Sequence, residues 1–203
     1  MSTFRRRGAP AAALLLAALG GAGCGDADPV PPEPAGDAAT FTNPVVRTDA
    51  PDPHAVRAGA TWYLFHTNSG GRNVPTLTSD DLVEWTAAGD ALPEMPAWAD
   101  AGKTWAPEVI ALAADRYALY YTAADRASGR QCIGPAVATT PWGPYRDDSA
   151  GPLVCQAEQG GSIDASPFRD TDGSLWLLWK NDGNAIGADT WLWSQRLSPD
   201  GLR

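Results

Sequence analysis

The stretch Gly161-Ser162-Ile163-Asp164-Ala165-Ser166-Pro167-Phe168, running through Arg169-Asp170-Thr171-Asp172-Gly173 into Ser174-Leu175-Trp176-Leu177-Leu178-Trp179, decides the fold. It reads as a short strand, a turn built on Asp-Gly and a strand rich in aromatic residues, which is the pattern of a β-hairpin. The same plan occurs twice upstream. Ala55-Val56 leads through Gly59 to Thr61-Trp62-Tyr63-Leu64-Phe65-His66, and Val109-Ile110-Ala111-Leu112 leads through Asp115 to Arg116-Tyr117-Ala118-Leu119-Tyr120-Tyr121. A further β-like segment follows each hairpin, over residues 74–78, 133–140 and 190–197, with turn residues between, so each unit is expected to hold about four strands.

An acid stands at the head of each unit: Asp52, Glu108 and Asp164, with both separations equal to 56 residues. Four-stranded units at such a period predict an all-β fold, the β-propeller, whose blades point their innermost strands at a central axis. Equivalent positions on successive blades then converge. One acid beside Pro, Ser or Gly is ordinarily a turn residue. Recurrence at one blade position argues for use, because carboxylates crowded around an axis repel each other. Residues 52–203 make fewer than three periods, so about three blades are expected where a closed ring needs at least four. An incomplete ring would leave a sheet edge and an apolar face uncovered.

Composition narrows the function. In 203 residues, 44% hydrophobic and 19% charged, there is apolar material for one globular domain. Lys+Arg 15 against Asp+Glu 24 gives a net charge of -9, which repels a phosphate backbone and argues against nucleic acid as a partner. Arg5, Arg6 and Arg7, the apolar run from Ala9 to Leu19 and the small residues Gly20, Gly21, Ala22 and Gly23 match an export signal. The apolar run is too short for a membrane span. Cys24, directly after the small residues, resembles the acylated cysteine of bacterial lipoproteins; ordinary secretion is the alternative. The expected organisation is a signal over 1–23, a Pro/Gly/Ala-rich tether over 24–40 and a folded part over 41–203. Such a protein works at the cell surface, in the periplasm or in the medium, and touches a membrane only through a lipid on Cys24. Cys132 and Cys155 form an even pair in an exported domain and read as one disulfide, with two buried thiols as the alternative. No His-Cys cluster suggests zinc, two histidines are too few for a metal site unaided, and Asp170-Thr171-Asp172-Gly173 lacks the later Glu of a calcium loop.

Ordered motifs carry the functional reading. Asn43-Pro44-Val45 followed by Ala50-Pro51-Asp52-Pro53-His54-Ala55-Val56, then Trp105-Ala106-Pro107-Glu108, Gly161-Ser162-Ile163-Asp164-Ala165-Ser166 and Lys180-Asn181-Asp182-Gly183-Asn184, resemble glycoside hydrolase family 43 from Thr42 to Leu202. The resemblance implies a five-bladed propeller enzyme that acts on arabinose- and xylose-containing polysaccharides by inverting hydrolysis. In that chemistry one carboxylate activates water and a carboxylic acid protonates the leaving oxygen, with the two groups roughly 6.5–9.5 Å apart. It implies Asp52 as general base and Asp164 as the modulator that raises the acid's pKa and orients it. The acid itself would be a Glu of a fourth blade, one period past Asp164, and no Glu follows Glu158. The chain is accordingly expected to be a truncated N-terminal portion. Trp105, His54 and Glu108 are the candidate substrate contacts; Glu108 reads otherwise as a structural or rim residue. Of the tryptophans, Trp62, Trp98, Trp142, Trp176, Trp179, Trp191 and Trp193 could also stack on sugar faces, although packing between sheets is the commoner use. No cofactor is expected, apart from a calcium ion held by later blades, and a monomer is expected. Ser162 lacks the Gly-x-Ser-x-Gly elbow of a serine hydrolase. A noncatalytic carbohydrate-binding lipoprotein using the same funnel is the alternative, and a protein-interaction scaffold a third.

Overall fold

The computed structural model describes residues 40–203. The signal, Cys24 and nearly all of the tether lie outside the described residues. Ten strands form three antiparallel sheets. The first holds β1 (His54–Ala58), β2 (Thr61–Phe65), β3 (Pro75–Ser79) and β4 (Thr86–Asp90) in that order. The second holds β5 (Trp105–Ala113), β6 (Arg116–Ala124) and β7 (Gln131–Ala138), and the third holds β8 (Ser162–Arg169), β9 (Leu175–Asn181) and β10 (Leu192–Arg196). Among the described residues the helical content is two short 3-10 turns, Ala157–Gln159 and Gly183–Ile186.

Each sheet begins with the hairpin read from the sequence, paired His54↔Phe65, Glu108↔Tyr120 and Ser166↔Leu178. Alternation along the aromatic strands explains how the sheets stack, because successive side chains point to opposite faces. On β6, Leu119, Tyr121 and Ala123 join Phe65, Val74 and Leu92 in one core between the first and second sheets. Ala118 and Tyr120, on the other face of the same strand, join Ala165, Leu175, Leu177 and Trp179 in a second core between the second and third sheets. One strand therefore serves two interfaces, and its near-continuous apolar run follows from burial on both sides. The first strands are also neighbours, β1 against β5 and β5 against β8, as adjacent propeller blades require.

Four strands per unit holds for the first sheet only. In the second, the fourth strand is reduced to two isolated antiparallel bridges on the outer edge of β7, Val137 with Arg146, which exchange backbone hydrogen bonds at 3.0 and 2.9 Å, and Ile133 with Val154, joined at 2.9 Å. Pro141 and Pro144 flank Gly143 just before Arg146, and prolines have no N–H to extend a ladder. The third sheet has three strands among the described residues. Cys132 of β7 is joined to Cys155 by a disulfide with Cα atoms 4.7 Å apart.

Candidate active site

The three inner strands start from one backbone shape. Asp52, Ala106 and Asp164 all have left-handed φ, at 51°, 40° and 57°. A residue with a Cβ adopts that region at a cost of about 1–2 kcal/mol, which the surrounding contacts must over-determine. β-Bulges follow in both later blades, between Trp105 and Glu108 and between Ile163 and Ser166. This corner corrects the register read from the sequence. Asp52 and Asp164 correspond to Ala106, whereas Glu108 corresponds to His54 and Ser166, the residues two positions further along that begin the regular pairing.

Three side chains at one register position hold these corners. Thr67, Thr122 and Lys180 each stand two residues beyond the strand partner of that layer. The Thr67 hydroxyl donates to Asp52 Oδ2 at 2.7 Å and accepts from the Ala106 N–H at 3.0 Å, joining the first corner to the second. The buried Thr122 hydroxyl accepts from the Asp164 N–H at 3.2 Å, joining the second blade to the third corner. Lys180 Nζ lies 3.2 Å from Asp164 Oδ2, with the two side chains 31% and 46% exposed. A pair that wet adds little stability. Its consequence is local charge: the ammonium partly offsets the anion through which Asp164 would act on a neighbouring acid. Sequence reading assigned no role to Thr67, Thr122 or Lys180; the visible signal was their equal offset from the aromatic strand.

The next layer down ties the blades together. Glu108 Oε2 accepts from the Ser166 hydroxyl at 3.0 Å and lies 3.8 Å from His54 Nδ1. His54 Nε2–H donates to the Val109 carbonyl at 3.0 Å, which leaves Nδ1 without a proton unless the ring is charged. The His54–Val109 and Ser166–Glu108 bonds thus tie β1 to β5 and β5 to β8, one level below Asp52 and Asp164. Trp105 sits directly before the Ala106 corner and is 37% exposed. Trp98 and Trp179 are buried in the two cores. Trp142 is half exposed and stacks on Tyr63 with centroids 5.4 Å apart. A cleft of about 720 Å³ lies elsewhere, lined by Pro44, Val46, Leu77 and Trp85 among others, and neither Asp52 nor Asp164 borders it.

Blades stacked on aromatic strands, with carboxylates at matching inner-strand corners of the first and third, define a protein of the β-propeller class. Residues 41–203 match the profile of the glycosyl hydrolases family 43, and the chain belongs to that family. It is 28% identical over 163 residues to the extracellular endo-alpha-(1->5)-L-arabinanase 2 of Bacillus subtilis, covering 66% of this chain and 33% of that enzyme. It is 31% identical over 143 residues to the extracellular exo-alpha-(1->5)-L-arabinofuranosidase ArbA of Cellvibrio japonicus, covering 64% and 40%. The crystal structure of a thermostable family-43 glycoside hydrolase superposes with a TM-score of 0.69 at 28% identity, over 81% of this chain and 53% of the other. The chain therefore spans about a third of the length of the curated arabinan-cleaving relatives it matches.

Proposed function

We propose that residues 41–203 are the first three blades of an exported glycosidase that hydrolyses O-glycosyl bonds in arabinose-containing polysaccharide with inversion at the anomeric carbon. The observation that carries the reading is the corner geometry. Asp52 and Asp164 occupy the same left-handed position on the first and third inner strands, with Ala106 between them. Asp52 is exposed and turned by the Thr67 hydroxyl, as suits a base that takes a proton from water. Asp164 is the acid-tuning carboxylate, its own charge moderated by Lys180. Residues 41–203 supply the base and the tuning carboxylate of this mechanism, and no proton donor is assigned among them. Arabinose as the sugar and export as the destination draw on the names of the relatives, which are extracellular arabinan-cleaving enzymes. Cys24 is the proposed anchor point of the exported chain, and a glycan its partner.

The test is Asp52→Asn in the gene product that carries these blades, assayed on linear arabinan with the anomer of the product followed by proton NMR. Turnover should fall by about 10²–10⁴-fold, the range of a lost general base. The wild type should release the sugar with inverted configuration. Unchanged turnover in the variant, or retained configuration in the wild type, overturns the proposal.

A further inference from the structure

We propose that the cleft between the two 3-10 turns and β10 is a second glycan site, taking one ring of a neutral oligosaccharide against Trp191 and Trp193, apart from the Asp52 and Asp164 corners. The cleft has a volume of about 460 Å³, and Glu158, Gln159, Asn181 and Asp189 border it together with the two indoles. That volume is within the roughly 300–1,000 Å³ of small-ligand sites.

Trp191 is 61% exposed and Trp193 38%. The exposure of Trp193 is not that of an uncovered sheet face. Trp193 pairs directly with Trp179, and directly paired residues share a face. Trp179 is buried in the core against the second blade, so Trp193 stands on the inward-packing side of its sheet. Leu192, 87% exposed, is the residue that alternation puts on the opposite face.

The walls are preorganised. Asn181 is 1% exposed and uses its whole amide: Oδ1 accepts from the Trp191 N–H at 2.7 Å and from the Trp193 indole N–H at 3.3 Å. Its Nδ2 donates to the carbonyls of Gln159 at 3.2 Å and Asp189 at 3.0 Å. One side chain thus locks the first turn, the segment between the second turn and β10, and β10 itself, so little ordering remains to be lost on binding. The turns also approach closely, since a Cβ at Gly160, which ends the first, would collide with the backbone carbonyl of Asp182, which opens the second.

The lining selects the ligand. An indole offers a flat apolar platform, and the C–H face of a sugar ring is its complement. Glu158 and Asp189 offer acceptors for hydroxyls. The cleft has no Lys or Arg, and the chain carries a net charge of -9, so an anionic ligand is disfavoured. Asn181 is the chain neighbour of Lys180, so a glycan seated here lies one residue along β9 from the Asp164 ion pair, on the other face of that strand.

The choice of an arabinan-derived probe rests on the proposed function; the cleft does not. The experiment titrates the chain with neutral arabino-oligosaccharides at millimolar concentration, following the indole N–H resonances of Trp191 and Trp193 and the binding isotherm. Both resonances should shift, and Trp191→Ala should weaken binding by about tenfold, with Trp191→Phe recovering part of it. The Trp191 side chain can be cut without touching its backbone bond to Asn181, and an unchanged melting temperature checks that it was. Failure of the wild-type resonances to shift, or equal affinity in Trp191→Ala, overturns the inference. If Asp52→Asn abolishes turnover while Trp191→Ala binds like the wild type, only the cleft falls; if turnover survives Asp52→Asn while Trp191→Ala loses binding, only the catalytic reading falls.

Discussion

Replacing Thr67 by Val should weaken both the fold and the corner at Asp52, because one hydroxyl serves two partners. It donates to Asp52 Oδ2 at 2.7 Å and accepts from the Ala106 N–H at 3.0 Å. Valine keeps the branched shape and removes only the polar atom, so packing is nearly constant. The Ala106 N–H is half-buried and loses its acceptor, at a cost of about 1–2 kcal/mol. Asp52 is exposed, so water replaces the lost donor there and little is added. The total is about 1–2 kcal/mol, which lowers the melting temperature of a domain this size by about 2–8 °C. Scanning calorimetry of Thr67→Val beside Thr67→Ser, which keeps the hydroxyl, reads the effect. Serine should recover most of the loss. A Val variant within about 0.5 kcal/mol of the wild type, that is about half of one ordinary hydrogen bond, would show that this bridge between blades contributes nothing.

Two further outcomes follow from buried phenols. Tyr121 donates to Asp147 Oδ2 at 2.6 Å with both residues buried, so Tyr121→Phe should cost about 1.5–3 kcal/mol in a urea titration, the scale of a hydrogen bond to a charged group. Burial raises the Tyr120, Tyr121 and Tyr145 phenols well above the usual tyrosine value, with further upward pushes from Asp200, Asp147 and Tyr117 respectively. A group whose folded value lies above its unfolded one contributes stability that is complete below the unfolded pKa and lost above it. Stability should therefore hold up to about pH 10 and then fall by about 1.4 kcal/mol per pH unit for each of the three phenols. Tyrosinate absorbance should appear together with unfolding, and phenols that ionise in a still-folded protein would refute the assignment.

The strands were legible where period and composition agreed. Trp62 to Phe65, Tyr117 to Tyr121 and Leu175 to Trp179 are apolar on both faces because each aromatic strand is packed or half-packed on both sides, and that run is visible in one sequence. The interruption of the fourth strand of the second unit was not legible, since where it pairs depends on how Pro141 and Pro144 fall against the partner ladder. Asp52 and Asp164 stood out through their motifs. Thr67 and Thr122 did not: their equal offset from the aromatic strand marks a shared position, but not the bond each makes to the next blade, 39 and 42 residues away. Lys180 was in view inside a quoted motif, yet its charge acquired a role only when β9 brought it beside Asp164.

The spacing of the three acids shows how an accurate count can suggest a wrong equivalence. Glu108 lies 56 residues from both Asp52 and Asp164, but pairing decides equivalence, and pairing puts Glu108 with His54 and Ser166. Unequal loops make the true steps shorter in the first blade and longer in the second, and their mean reproduces the even period. The difference changes the electrostatics of the corner. Three converging carboxylates would repel one another, whereas the second blade carries Ala106, with only a methyl side chain, at that register position. The carboxylate of the second blade is withdrawn one layer and engaged with Ser166 beside His54. Lys180 then faces the third corner as a counter-charge, so this register level carries acids on the first and third blades, with an ammonium beside one. That arrangement leaves Asp52 and Asp164 in unlike surroundings, the condition under which two carboxylates of one site can be given different tasks.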